Sequence, residues 1–216
     1  MIKLSIKQAV APLRMIFWGG LLCVFDITFS QTTNGQGFKF DILNDALGMG
    51  LITCGVFSLA SAPVHRRYAS VMTFVLIVSV LALLDAIRDH FILPLPPAIH
   101  LLQSLFGIAC LAAIIAFCVA MRWCCEEAQL PRAAASWSVT TILFVAIYLL
   151  PLGLLYLAGV FAMLTSSSFN FNLGPAGLLV LPVFAIPLIH LFVSTSRMSR
   201  DSIAYLRSQP SGTIEG

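Results

Sequence analysis

Apolar and polar positions do not alternate along this chain; the apolar ones run in blocks. Six blocks, at about 12–30, 42–62, 69–88, 98–121, 137–164 and 173–196, each hold the roughly 20 mostly apolar residues that a helix needs to cross a hydrocarbon layer about 30 Å thick. The segments between them are short, so consecutive helices should be antiparallel neighbours, with no room for a soluble domain. The expected fold is all-α: a polytopic integral membrane protein whose single domain, residues 1–200, is a bundle of six transmembrane helices, followed by a polar tail at 201–216. An amphipathic stretch with Ile2, Leu4, Ile6 and Val10 precedes the first block. No small-x-small cleavage motif follows that block, so it reads as a retained span rather than a secretory signal.

Basic residues orient the bundle. Lys3, Lys7 and Arg14 precede or open the first block; Arg66 and Arg67 lie between the second and third. Arg122 and Arg132 flank the fourth connection, and Arg197, Arg200 and Arg207 follow the sixth block. These are all but two of the 12 Lys and Arg residues, and they alternate to one side; Lys39 and Arg88 fall on the other. Cytoplasmic connections carry this excess, which puts both termini in the cytoplasm. Trp18, Trp123 and Trp137 include positions suited to interfacial anchoring.

Composition agrees. Hydrophobic residues make up 59% and charged residues 10% of the 216 positions, against about 25% charged in a soluble domain. A net charge of +3 with dispersed basic residues offers no stripe for nucleic acid. The six cysteines contain no CxxC pair, and Cys23, Cys54, Cys110 and Cys118 sit within apolar runs, so they read as small packed thiols.

The polar groups left over are unevenly placed. Asp41 and Asp45 are expected to head the second helix at its outer end, with Gly48 on the same face and Gly55 two turns on. Asp26 lies near the outer end of the first helix, Asp85, Arg88 and Asp89 near that of the third, and His100 and Gln103 near that of the fourth. With Asn44 these nine side chains could line one outward-opening pocket; Arg88 is placed to pair with Asp85 at i, i+3. Capping and solvation at helix ends account for the same residues without any pocket. Elsewhere, Pro151, Pro182 and Pro187 interrupt the last two blocks, and His190 is expected to bond a freed carbonyl or a neighbouring hydroxyl.

Chemistry is mostly excluded by absent motifs. The D-x-x-D-G-x-x-A-R run of CDP-alcohol phosphatidyltransferases, the G-x-S-G of rhomboid proteases, H-E-x-x-H, a P-loop and a dinucleotide fingerprint are all missing. Asp85, Asp89, His90 and His100, with Asp26 or Asp45, supply ligand types that zinc or manganese accepts, which keeps a membrane-embedded metal-dependent hydrolase open. No cofactor is otherwise indicated.

The run "FDILNDALGMGLI" resembles the D-x-x-P-D-x-x-G segment that opens a helix in small bacterial polytopic membrane proteins of uncharacterised activity. Asp41, Asp45 and Gly48 fit that pattern, Asn44 stands in place of its proline, and Met49 in place of an aromatic. The resemblance spans about twenty residues and implies a bacterial inner-membrane setting but no activity. The leading expectation is small-solute or ion handling, by a transporter or an accessory subunit of one. The alternatives are the hydrolase and a purely structural membrane protein. The expected partner is the lipid bilayer, with another membrane protein or a second copy of the chain left open.

Overall fold

A computed structural model describes residues 6–24, 28–33, 36–41, 45–62, 64–88, 97–165 and 177–208, with side chains over 9–23, 45–62, 64–88, 101–165 and 182–204. Helix α1 (Ile6–Val24) is followed by a hairpin, β1 (Thr28–Thr33) and β2 (Gln36–Asp41). Then come α2 (Asp45–Ala60), α3 (Arg66–Arg88), α4 (Pro97–Glu127), α5 (Pro131–Phe144), α6 (Leu150–Leu164) and α7 (Gly177–Ser208). One π-helical turn, Val145–Leu149, joins α5 to α6 without a break, so six helical rods stand where six apolar blocks were expected. Among the described residues three stretches, Arg66–Arg88, Leu101–Glu127 and Pro131–Leu164, are long and apolar enough to cross a membrane.

The rods close into a ring. Helix α1 packs on α2, α2 on α3, α3 on α4, α4 on α5, α5 on α7 and α7 back on α1, while α6 leans on α4. Inside the ring Leu13, Val56, Tyr68, Met72, Met121, Trp137 and Met198 are fully buried. Outside, apolar side chains face away from the protein at helical spacing: Phe74, Ile77, Leu81 and Leu84 on α3, and Leu150, Leu154, Leu157, Phe161 and Leu164 on α6. Such stripes far exceed the apolar patches that soluble monomers expose. Hydrocarbon is the solvent that accommodates them.

The hydroxyls behave accordingly. Ser58, Ser70, Thr73, Ser138, Thr141 and Thr195 each donate to the carbonyl four residues back in their own helix, which is how a polar side chain is satisfied where water is absent. Tyr68 Oη donates to the Leu59 carbonyl at 2.9 Å and so ties the end of α2 to the start of α3. Pro151 has no N–H to continue the helical ladder, and the backbone ahead of it widens into the π turn, where the Leu150 amide reaches the Val145 carbonyl. That turn carries Tyr148, whose hydroxyl donates to the Phe184 carbonyl at 2.8 Å, within the turn of α7 that precedes Pro187.

The tightest contact is between α1 and α2. A Cβ built on Gly19 would stand 2.5 Å from the Gly48 carbonyl oxygen, one on Gly48 2.8 Å from the Gly19 carbonyl, and one on Gly55 2.6 Å from the Pro12 carbonyl. Two backbones meet there with nothing but hydrogen between them, as small residues permit in membrane helices.

Two expectations are corrected. The first helix ends at Val24, not near residue 30. Asp41 does not head α2; it closes β2, paired in register with Thr28, so it shares no helical face with Asp45 and Gly48. The cause is legible: "TFSQTT" and "QGFKFD" flank an Asn34-Gly35 dipeptide, the strongest short-range hairpin signal, and Phe29 falls opposite Phe40. Helix α7 continues to Ser208, so the first eight residues of the polar tail are helical. Trp137, a candidate for the interface, is instead buried edge-on to Phe117 at 6.1 Å.

Replacing Gly48 or Gly55 by Val should lower stability by about 1–3 kcal/mol, the range for overpacking, read as thermal unfolding in detergent. Gly50→Ala should be tolerated, because nothing lies within 4 Å of its Cβ position. Equal effects at all three would contradict the packing described.

Candidate functional site

Five rods bring polar side chains to one end of the ring. The C-terminal end of α1 contributes Cys23 and the first residue of α2 contributes Asp45. Asp85 comes from the last turn of α3, Gln103, Ser104 and Cys110 from the first half of α4, and Tyr156 from α6. Together with Met49, Phe106 and Gly107 they line an open cavity of about 430 Å³. The size suits a small solute.

Local sequence explains each placement. Asp45 starts α2, where a carboxylate meets the positive end of the helix dipole, and the Cys23 thiol approaches its backbone carbonyl at 3.9 Å. Asp85 accepts from Arg88 Nη2 at 2.7 Å across one turn, with both side chains about 30% exposed. A pair that wet contributes less than about 1 kcal/mol; it holds the Asp85 carboxylate in place at the cavity. Gly107 has no side chain because a Cβ there would stand 2.5–2.9 Å from the ring of Tyr156, so the missing side chain on α4 lets the phenol reach the cavity.

Of the residues singled out from sequence, Asp45, Asp85 and Gln103 line this cavity, and Arg88 is held beside it through Asp85. Asp41 lies in the hairpin and His100 in the first turn of α4, with side chains outside the described set. Asp26, Asn44, Asp89 and His90 lie outside the described residues. Among those described, no three His, Cys, Asp or Glu side chains come together as a metal site would require. Sequence reasoning missed Cys23, Cys110 and Tyr156. Tyr156 was findable as the lone phenol in an otherwise apolar helix, and Cys110 lies seven residues, two turns, beyond Gln103.

A second polar cluster lies between α5 and α7. Ser136 Oγ and Ser194 Oγ are 2.8 Å apart, Thr140 Oγ1 and Ser194 Oγ 2.8 Å, and Thr140 Oγ1 and His190 Nδ1 2.9 Å. Two pairs spaced four residues apart, on antiparallel helices, interlock: 136 meets 194 and 140 meets 190. His190 thus bonds a neighbouring hydroxyl, as its position past Pro187 suggested. The cluster is a polar fastener, with each hydroxyl bonded inside it.

An apolar-faced ring of helices, three of them long enough to span a bilayer, fits a helical membrane protein with the membrane as its location. Comparison of the chain with protein-family models, curated proteins and solved structures finds no match.

Thr140→Val should destabilise the protein by about 1 kcal/mol, the scale of interhelical hydrogen bonds in membranes, and by more than Thr141→Val, whose hydroxyl only returns to Trp137 of its own helix. Urea or thermal unfolding in matched detergent would show it; an equal or smaller effect at Thr140 would refute the fastener.

Proposed function

We propose that the protein handles a small polar solute or a cation through the cavity lined by Asp45, Asp85, Gln103, Ser104 and Tyr156, as a transporter or as an accessory subunit of one. The observation that carries this reading is the cavity itself: carboxylates, an amide and hydroxyls gathered from separate helices within a shell of lipid-facing side chains. Carboxyl groups near a bilayer are costly unless they are paired or wet, and here they surround open space. The lining is rich in acceptors, so the solute class that fits is cationic or carries several hydrogen-bond donors.

In the same reading all six rods span the membrane, both termini face the cytoplasm, and the cavity opens on the outer face of a bacterial inner membrane. Support comes from the charge distribution: Arg66, Arg67, Arg122, Arg132, Arg197 and Arg200 all lie at the end of the ring opposite the cavity, the pattern of cytoplasmic flanks. The α1–α2 pair is short, since the 16 residues of α2 rise only about 24 Å; thinning of the bilayer beside it accommodates the difference. The π turn and the prolines of α7 supply places where a rod can bend.

Purified protein, screened by thermal shift against alkali cations, ammonium, polyamines and small amines, should be stabilised by at least one of them. Asp45→Asn with Asp85→Asn should then weaken that ligand at least tenfold, while Asp201→Asn, at the other end of the ring, leaves it unchanged. A binder indifferent to the cavity variant, or no binder at all, would defeat the proposal.

A further inference from the structure

The end of the ring opposite the cavity holds a feature that the solute-handling reading does not use. His65, Arg66, Arg67 and Trp123 line a cleft of about 400 Å³ where α3 begins beside the end of α4. His65 Nδ1 accepts the Tyr68 amide at 3.1 Å, so the neutral ring carries its proton on Nε2 and presents a donor. The same ring lies 5.5 Å from that of Trp123, which fixes the two walls relative to each other. Both arginines are exposed, and among the described residues neither has a carboxylate partner, whereas Arg122 on α4 is engaged with Glu126 at 2.7 Å. The lining therefore offers two guanidinium forks, an imidazole and an indole, all donors, and no acid. Guanidinium matches the geometry of phosphate oxygens and binds them in pairs.

Depth identifies which phosphate. The exposed face of α3 runs from Arg66, Arg67, Ser70 and Thr73 to Phe74, Ile77 and Leu81. From Arg67 to the first lipid-facing aromatic is seven residues, about 10 Å of helix, so with Phe74 a few ångströms inside the hydrocarbon the arginines stand in the headgroup layer, about 5–8 Å deep on each side. Tryptophan beside it is the residue that favours this level. We propose that the cleft binds the phosphate of an anionic phospholipid in the leaflet on the basic side of the protein. Phosphate on a soluble compound shares this chemistry but lacks the acyl chains that the adjacent apolar face of α3 would contact.

Native mass spectrometry of the detergent-purified full chain tests this with four probes: dihexanoyl phosphatidylglycerol, dihexanoyl phosphatidylcholine, glycerol phosphate and inorganic phosphate. The phosphatidylglycerol should bind saturably, at least tenfold more tightly than the other three. Arg66→Gln with Arg67→Gln should weaken it at least tenfold at an unchanged unfolding temperature. The pair Arg132→Gln, Arg200→Gln removes as much charge from the same end outside the cleft and should change the affinity less than twofold. Equal binding of phosphatidylcholine, an unaltered affinity in the cleft variant, or an equal loss in the control pair would overturn the site. Glycerol phosphate binding as tightly as the lipid would overturn the lipid as its source.

Discussion

The contact between the backbones of α1 and α2 is the constraint on which the rest of the structure depends. With Gly19, Gly48 and Gly55 at the crossing, the Pro12, Gly19 and Gly48 carbonyls lie where side chains would otherwise stand. That closeness lets α1 contact both α2 and α7 and so close the ring. It also sets Asp45 beside Cys23 at the rim of the cavity. A wider spacing would move the carboxylate away from Asp85 and Gln103 and leave a gap where α2 now packs on α3 through the Thr53 hydroxyl and the Ser79 carbonyl, 3.1 Å apart.

Hydrocarbon as solvent explains most of what surrounds that contact. It removes the drive to bury Leu, Ile and Phe, so they face outward along α3 and α6, and it penalises any hydroxyl or amide left unbonded. The small polar residues answer by returning to their own helix or by interlocking, as Ser136, Thr140, His190 and Ser194 do. Trp137 departs from this: its indole N–H is buried with no acceptor among the described residues. A lost hydrogen bond of that kind costs about 1–3 kcal/mol, and packing of the ring against Phe117 at the centre of the core offsets it. The ionisable groups go to the two ends, with different results. One end gathers carboxylates around a cavity, and the other leaves arginines around a cleft.

How much of this was legible in the sequence follows from how demanding each environment is. The helical rods were, because a lipid-facing helix must be apolar nearly throughout and the blocks 69–88, 98–121 and 137–164 have no other reading. The glycine seam was partly legible, since Gly48 and Gly55 lie two turns apart; their partner Gly19 and the Pro12 carbonyl were not, because a carbonyl contact leaves no mark on residue type. The hairpin was missed although Asn34-Gly35 announced it, because Thr28, Phe29 and Ser30 were counted into the first apolar block and 31–41 was left as a connection. Asp41 was misplaced because its spacing to Asp45 and Gly48, four and seven residues, is that of one helical face. At the site, Asp45, Asp85 and Gln103 were found because charge and amide are conspicuous at helix ends. Tyr156 and the thiols were not, because a phenol or a cysteine passes as apolar in a block. The Ser136–Thr140 and His190–Ser194 spacings were visible, but only the packing of α5 on α7 makes them one cluster.

The central claim is that the two ends of the ring face opposite sides of a membrane, the cavity outward and the arginines inward. Single cysteines at Ser30, in β1, and at Ser208, at the end of α7, placed in a chain whose six native cysteines are replaced, test it most directly with a membrane-impermeant maleimide on intact cells. The account predicts that Ser30→Cys is labelled from outside and that Ser208→Cys is labelled only after the cells are opened. Labelling of both from the same side, or the reverse pattern, would contradict it.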